Sequence, residues 1–202
     1  MDNSGAILLA GGQSSRMGRA KAELEFSGQT LLERVLTAVH PLVSQLIVML
    51  SASQEVPRVS SELQQRIEIG RDSSPGQGPL QGIADAMAWV QPSIDQLFVL
   101  SCDLPFLTTD SLIRMRRLLT ADVDGVCAEV NNQINPLLAI YHRRLLSQSP
   151  SFLAVGKRSC MVLIDQGRIV RLQPPLDNPH VYNDINTPTA YEWAKSLLKI
   201  ST

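Results

Sequence analysis

The segment Leu9-Ala10-Gly11-Gly12-Gln13-Ser14-Ser15-Arg16-Met17-Gly18-Arg19-Ala20-Lys21 places three cations within six residues, behind a pair of glycines that follow an apolar run. Glycines permit tight turns and let backbone N–H groups approach an anion closely, and Arg16, Arg19 and Lys21 add positive charge. The chemistry this suits is the cradling of phosphate. It is not a Walker loop, because Gly12 and Gly18 enclose five residues and no Gly-Lys-Ser/Thr follows. Nor is it the Gly-x-Gly-x-x-Gly dinucleotide fingerprint. The plainer alternative is a glycine-rich turn with surface cations, which the clustering of charge disfavours.

Three further segments carry polar residues in suggestive places. Arg71-Asp72-Ser73-Ser74-Pro75-Gly76-Gln77-Gly78-Pro79-Leu80-Gln81-Gly82 reads either as a turn into a helix or as a backbone that lies against a purine and ribose. In Leu100-Ser101-Cys102-Asp103-Leu104-Pro105-Phe106 an aspartate just past a hydrophobic strand is well placed to hold Mg²⁺, which takes one or two carboxylates plus phosphate oxygens and water. Its alternative is a turn or cap residue before Pro105. In Tyr182-Asn183-Asp184-Ile185-Asn186-Thr187-Pro188 the start of a last helix competes with a ligand role. Asp184 and Asn186 alternate, so in an extended segment both would point the same way, toward a metal or its waters.

The elements that must position these residues follow from periodicity. Ala6–Ala10, Leu46–Leu50, Ile67–Ile69 and Gln96–Ser101 read as strands. Between them, Thr30 caps a helix carrying Leu31, Leu32, Val35, Leu36 and Val39, Glu55–Arg66 reads as a polar helix, and Pro79 opens a helix through Val90. Thr109 or Asp110 then caps a helix with Leu112, Ile113 and Leu118. Later come strand-like Gly125–Val130 and Leu137–Tyr141, a short helix near Ser159–Ile164, strand-like Ile169–Leu172, and a last helix from Pro188 through Leu198. Near-continuous apolar strands alternating with helices predict an α/β, three-layer, Rossmann-like fold with a mostly parallel sheet and helices on both faces. No linker divides the chain, so residues 1–202 are expected to form one domain. Ligands of such sheets bind beyond the carboxyl ends of the strands, where the first three polar segments should converge.

Composition narrows the partners. A formal net charge of −1 offers no general attraction for nucleic acid or an anionic membrane, so an anionic ligand needs a local site. The apolar runs are strand-sized, below the roughly 20 residues that span a bilayer. The Met-Asp-Asn-Ser-Gly start lacks a basic signal region, and Cys102, Cys127 and Cys160 are too scattered for a disulfide framework or zinc cluster. A cytoplasmic protein without structural metal is expected.

Taken in order, Leu-Ala-Gly-Gly-x-Ser-x-Arg-Met-Gly-x-x-Lys, Gly-Pro-Leu-x-Gly-Ile, Cys-Asp-x-Pro-Phe and Asn-Thr-Pro resemble the molybdenum cofactor guanylyltransferases, the MobA type. That family lies within the nucleotide-diphospho-sugar transferase-like fold, and the similarity runs from about Ile7 to Tyr191. The resemblance implies transfer of GMP from GTP to molybdopterin with release of pyrophosphate, supported by Mg²⁺. It implies that Leu9, Ala10, Gly11, Gly12, Asp72, Gly78, Pro79 and Leu80 contact the nucleotide and that Arg16 and Lys21 serve its phosphates. Asp103 would carry the metal with Asn186 and Asp184. Asn135, Pro136, Arg158 and Asn183 would face the acceptor. Other proteins of molybdenum cofactor biosynthesis or delivery are implied as partners. The chain departs from the family pattern at Ala20, where Asp is common, at Asn135, where His or Gln is frequent, and at Ser51, the nearest match to a family asparagine. The shared first motif also fits a cytidylyltransferase, and the departures fit a non-catalytic nucleotide-binding partner.

Overall fold

Ile7 and Leu9 point to one face of the first strand while Ala6, Leu8 and Ala10 point to the other, and both sets are buried. A strand apolar on both faces needs cover on both, which sets the layering of the whole chain. The computed structural model describes residues 3–11, 21–74 and 76–200. β1 (Ser4–Leu9) is followed by the two-residue strands β2 (Glu25–Phe26) and β3 (Gln29–Thr30), α1 (Leu31–Val39) and β4 (Gln45–Leu50). Next come α2 (Ser61–Gln64), β5 (Ile67–Arg71), α3 (Pro79–Met87), β6 (Gln96–Ser101) and α4 (Thr109–Leu118). The remainder holds β7 (Gly125–Val130), β8 (Gln133–His142), α5 (Arg143–Leu146), α6 (Ser149–Ala154), α7 (Met161–Gln166), β9 (Ile169–Leu172) and α8 (Pro188–Ile200).

Seven strands form one sheet in the order β5-β4-β1-β6-β8-β7-β9, with β8 antiparallel to its neighbours β6 and β7 and the other pairings parallel. The expected mostly parallel α/β sheet with helices on both faces is therefore present. On one face α1 and α4 supply Leu32, Val35, Leu36, Leu112 and Met115 to a core with Leu8, Val48 and Phe98. On the other, Leu80, Ile83 and Ala86 of α3 and Val162 and Leu163 of α7 pack on Ile7, Ile47 and Val99. A third, smaller core joins Phe26 and Leu31 to Ile185 and Ala194, with Leu24, Phe106 and Tyr191 against it. It clamps α8 to the β2–β3 hairpin.

Local rules explain most boundaries. Thr30 caps α1 by accepting from the Glu33 N–H at 3.1 Å. α4 begins one residue earlier than its expected caps allow: Thr108 accepts from the Ser111 N–H at 3.3 Å, and Ser111 answers with its hydroxyl at the Thr108 N–H. The expected helix Glu55–Arg66 is confined to Ser61–Gln64, since Pro57 lacks an N–H and favours extended backbone before it. Two short helices, α5 and α6, were not expected. β8 is longer than expected and carries an irregularity: Cys127 pairs with Ala139, whereas Ala128 pairs with Asn135. Residues 136–138 bulge out of the ladder between those pairs. Among the described residues, no helix is long and apolar enough to cross a membrane.

Candidate active site

The parallel strands β5-β4-β1-β6 run in chain order three-two-one-four, so the connection direction reverses beside β1, the position where such sheets bind ligands. Gly11 follows β1 there, Asp72 follows β5, and Asp103 lies two residues past β6. The three segments expected to converge thus leave the sheet at the same edge.

Gly11 is required by close approach. A Cβ on it would lie 2.7 Å from the Ser51 backbone nitrogen, so a side chain would push apart the ends of β1 and β4. The Ala10 and Gly11 N–H groups both donate to the Met49 carbonyl, at 2.9 and 3.0 Å. Gly12 and Arg16, with the rest of residues 12–20, lie outside the described residues.

Lys21 emerges in a short 3-10 turn, Lys21–Glu23, at the other end of that segment. Its ammonium donates to Asp103 Oδ2 at 2.8 Å and to Asn186 Oδ1 at 2.5 Å. Asp103, only 8% exposed, also accepts from the Ser101 hydroxyl at 2.6 Å on its other oxygen, and its backbone carbonyl accepts from the Ile185 N–H at 2.9 Å. Its rotamer is therefore held from two sides. Ile185 is buried in the third core, which pins the 184–186 strip and the hairpin behind Lys21 together. Ser101 went unnoticed in the sequence, although a hydroxyl residue ending an apolar strand two positions before an aspartate is a readable signal.

Asp184 sits close enough to feel Asp103. Its carboxyl pKa is raised, first by burial and then by the Asp103 charge, while a hydrogen bond with Asn186 and the Lys21 charge act the other way. Asn186 contacts the ammonium directly, while Asp184 bonds to Asn186 and feels the charge of Lys21. Two carboxylates and an amide oxygen around one lysine form an all-oxygen donor set. An added cation would relieve the strain on ionised Asp184, and the set suits a hard ion such as Mg²⁺ that keeps waters and phosphate oxygens as its remaining ligands. Cys102 beside Asp103 is a buried neutral thiol, pushed up to about 12 by burial and by the Asp103 charge, and is no nucleophile.

The nucleotide-side turn is well braced. Asp72 accepts from the Ser74 N–H at 3.0 Å, while Asp85 of α3 accepts from both the Ser73 N–H and hydroxyl. Gly78 has φ +83°, and a Cβ there would meet the Arg158 carbonyl at 2.8 Å. Pro79 starts α3 and Leu80 is buried beneath it. Arg158 donates to Gln77 and to the Leu153 carbonyl, which brings it beside the Gly78 segment rather than leaving it among the strands.

Pro136 lies in the β8 bulge and Asn135 borders it, next to the carboxyl end of β6. Asn135 accepts from the Leu137 N–H at 2.9 Å, and the Pro136 carbonyl accepts from the Tyr141 hydroxyl at 3.0 Å. The Asn183 side-chain oxygen is buried without a partner among the described residues.

A family model described as the MobA-like NTP transferase domain matches residues 6–169. The chain belongs to the MobA-like NTP transferase family. A molybdenum cofactor guanylyltransferase of Photobacterium profundum is 31% identical to it over 183 residues, covering 90% of each chain. A probable molybdenum cofactor guanylyltransferase of Carboxydothermus hydrogenoformans is 28% identical, over 99% of this chain and 98% of the relative. Among solved structures, the molybdopterin-guanine dinucleotide biosynthesis protein A of Archaeoglobus fulgidus superposes with a TM-score of 0.75 at 22% identity, covering 97% and 99% of the two chains. The 4-diphosphocytidyl-2C-methyl-D-erythritolsynthase of Anaerococcus prevotii gives 0.74 at 12% identity, covering 97% and 96%. These superpositions speak to the fold, which is the nucleotidyltransferase α/β fold. This MobA-like nucleotidyltransferase carries Asp184 and Asn186 beyond the matched range.

Proposed function

We propose that the protein transfers GMP from GTP to the phosphate of molybdopterin, releasing pyrophosphate. The observation that carries this reading is the Lys21 ammonium held between Asp103 and Asn186 at the switch point of the sheet. Guanylyl transfer and the molybdopterin acceptor are supported by the guanylyltransferase names of the relatives at 31% and 28% identity.

In this reaction an acceptor phosphate oxygen attacks the α-phosphorus, a new P–O–P bond forms, and the α–β bridge bond breaks. The acceptor phosphate is already anionic at neutral pH, so no strong general base is required. That agrees with a site holding no nucleophilic thiolate and no described His-carboxylate pair at the sheet edge. The nearest such pair, His142 with Asp95, joins the opposite ends of β8 and β6. The protein's task is then positioning and charge neutralisation. Lys21, fixed by two acceptors, offers the triphosphate a cation whose side-chain freedom is already restricted. Ser101 fixes Asp103, and the turn at Asp72 orients the nucleoside. Mg²⁺, held by Asp103 with Asp184 and Asn186, would neutralise phosphate charge as pyrophosphate departs.

Pyrophosphate release with molybdopterin and Mg²⁺, compared across GTP, CTP, ATP and UTP, tests the reading. Selective turnover of GTP supports it; a clear preference for CTP overturns the guanylyl assignment.

A further inference from the structure

Arg71 ends the edge strand β5, paired with Leu50 at the last rung of the β4–β5 ladder. Its guanidinium nitrogen Nη1 faces three carbonyls of one turn: Ser51 at 3.1 Å, Ala52 at 3.0 Å and Gln54 at 2.9 Å. That turn, 51–54, is closed by the Gln54 N–H donating to the Ser51 carbonyl at 3.1 Å. The Gln54 side chain then reaches across to β1 and donates to the Ala10 carbonyl at 3.1 Å. Ser51 itself lies against Gly11, close enough that a Cβ on the glycine would collide with it.

These contacts form a continuous brace from β5, through the turn after β4, to the backbone after β1. One backbone bond closes the turn, but the Ala52 and Gln54 carbonyls project from it and, without Arg71, would be satisfied by solvent. One nitrogen of a rigid, charged plane shared among three carbonyls draws them to one side of the turn, a geometry that a lysine's freely rotating ammonium holds less well. The turn and Asp72 flank the space beyond the carboxyl ends of β4 and β5, beside the edge that Gly11 occupies.

We infer that Arg71 is a positioning residue for the nucleobase, acting through the 51–54 turn, with Gln54 as its relay to β1. This rests on the nucleotide binding at the Gly11 edge, as proposed above. Arg71 does not touch the reacting atoms. It sets the shape of the turn that walls the Gly11 edge, against which the flat base lies.

The test compares Arg71→Ala, Arg71→Lys and Gln54→Ala with the full-length parent, by calorimetric GTP binding and steady-state pyrophosphate release. Arg71→Ala is expected to weaken GTP binding and raise the GTP KM by about tenfold as the turn loses its fixed geometry. The kcat and the molybdopterin KM should stay within about twofold, and the preference for GTP over CTP should narrow. Gln54→Ala should move the same parameters in the same direction, and Arg71→Lys should recover part of the loss. Unchanged GTP binding in Arg71→Ala overturns the inference. So does full recovery in Arg71→Lys, which would mean charge rather than shape matters, and so does a fall in kcat alone. If the parent binds GTP but releases no pyrophosphate, the catalytic proposal fails while the binding comparison still judges Arg71. A parent that binds no nucleotide overturns both.

Discussion

On the parallel side of the sheet, β5-β4-β1-β6, strands end in backbone-rich turns held by short local contacts: Gly11 against Ser51, Arg71 over the 51–54 turn, Ser74 on Asp72. On the mixed side, β8-β7-β9, the edge is shaped by a bulge in a strand and by a single buried phenol beneath it. The first arrangement is built of turn backbone at the edge where the nucleotide is proposed to bind. The second is a bulged strand, the side on which the acceptor is proposed to bind. Asp103 stands on the seam, and Lys21 and Asn186 reach it from opposite ends of the chain. The contrast teaches that binding on the two sides should be separable by mutation, whereas the seam should not.

The seam gives the largest expected effect. Asp103→Ala should lower pyrophosphate release by about 10²–10³, roughly 3–4 kcal/mol of transition-state stabilisation, and impair the kinetics of both substrates. Lys21→Ala should match it. Near-normal turnover in either variant would remove the seam as a distinct element. Ser101→Ala frees one oxygen of Asp103 and should reduce kcat by about tenfold, or ~1.4 kcal/mol, with both KM values little changed. Here the informative reading is single-turnover rate, since a pure binding defect would leave it intact.

Tyr141→Phe probes the mixed side alone. Burial raises the Tyr141 hydroxyl pKa well above the ordinary value, so it remains a neutral donor to Pro136 across the working pH range. Its loss should cost about 1 kcal/mol in chemical denaturation and raise the molybdopterin KM while sparing the GTP KM. A rise in the GTP KM instead would erase the division between the sides.

The smallest effect concerns pH. The Asp124 carboxyl pKa is lowered, first by the Arg168 N–H and then by the Arg144 side chain, and so ties β7 to β9 and α5. A depressed carboxylate contributes stability above its unfolded pKa of about 3.9, and that contribution is lost as pH falls through the folded value. Asp124→Asn should therefore destabilise by about 0.5 kcal/mol near pH 7 and by less as the pH approaches that range, visible as converging denaturation midpoints.

Legibility in the sequence cut across that division. β6, β7 and β9 have the bounds their apolar runs suggest, although only β6 is apolar through its centre and the edge strand β9 leaves Arg171 exposed. β8 was half-read: Asn135-Pro136 looks like a break, and only the tertiary contact with Tyr141 makes it a bulge. α5 and α6, four and six residues long, are too short to show a helical period. Lys21, Asp103 and Asn186 could be singled out by type and context. Their mutual contact, and the bracing roles of Ser101, Gln54 and Arg71, depend on distances that only the folded sheet sets.

The lysine contact also bears on how the chain reaches its native state. Lys21 meets Asp103 across 82 residues and Asn186 across 165, so one ammonium closes two long loops. Contacts of such separation carry a large chain-entropy cost and belong to the slow, late part of folding. The closure to Asn186 spans more chain than the 92 residues between paired Ser4 and Gln96, so the sheet can assemble before Asn186 joins the lysine. A partly folded chain would be inert, not carelessly reactive, and the onset of turnover during refolding would mark the last long-range closure.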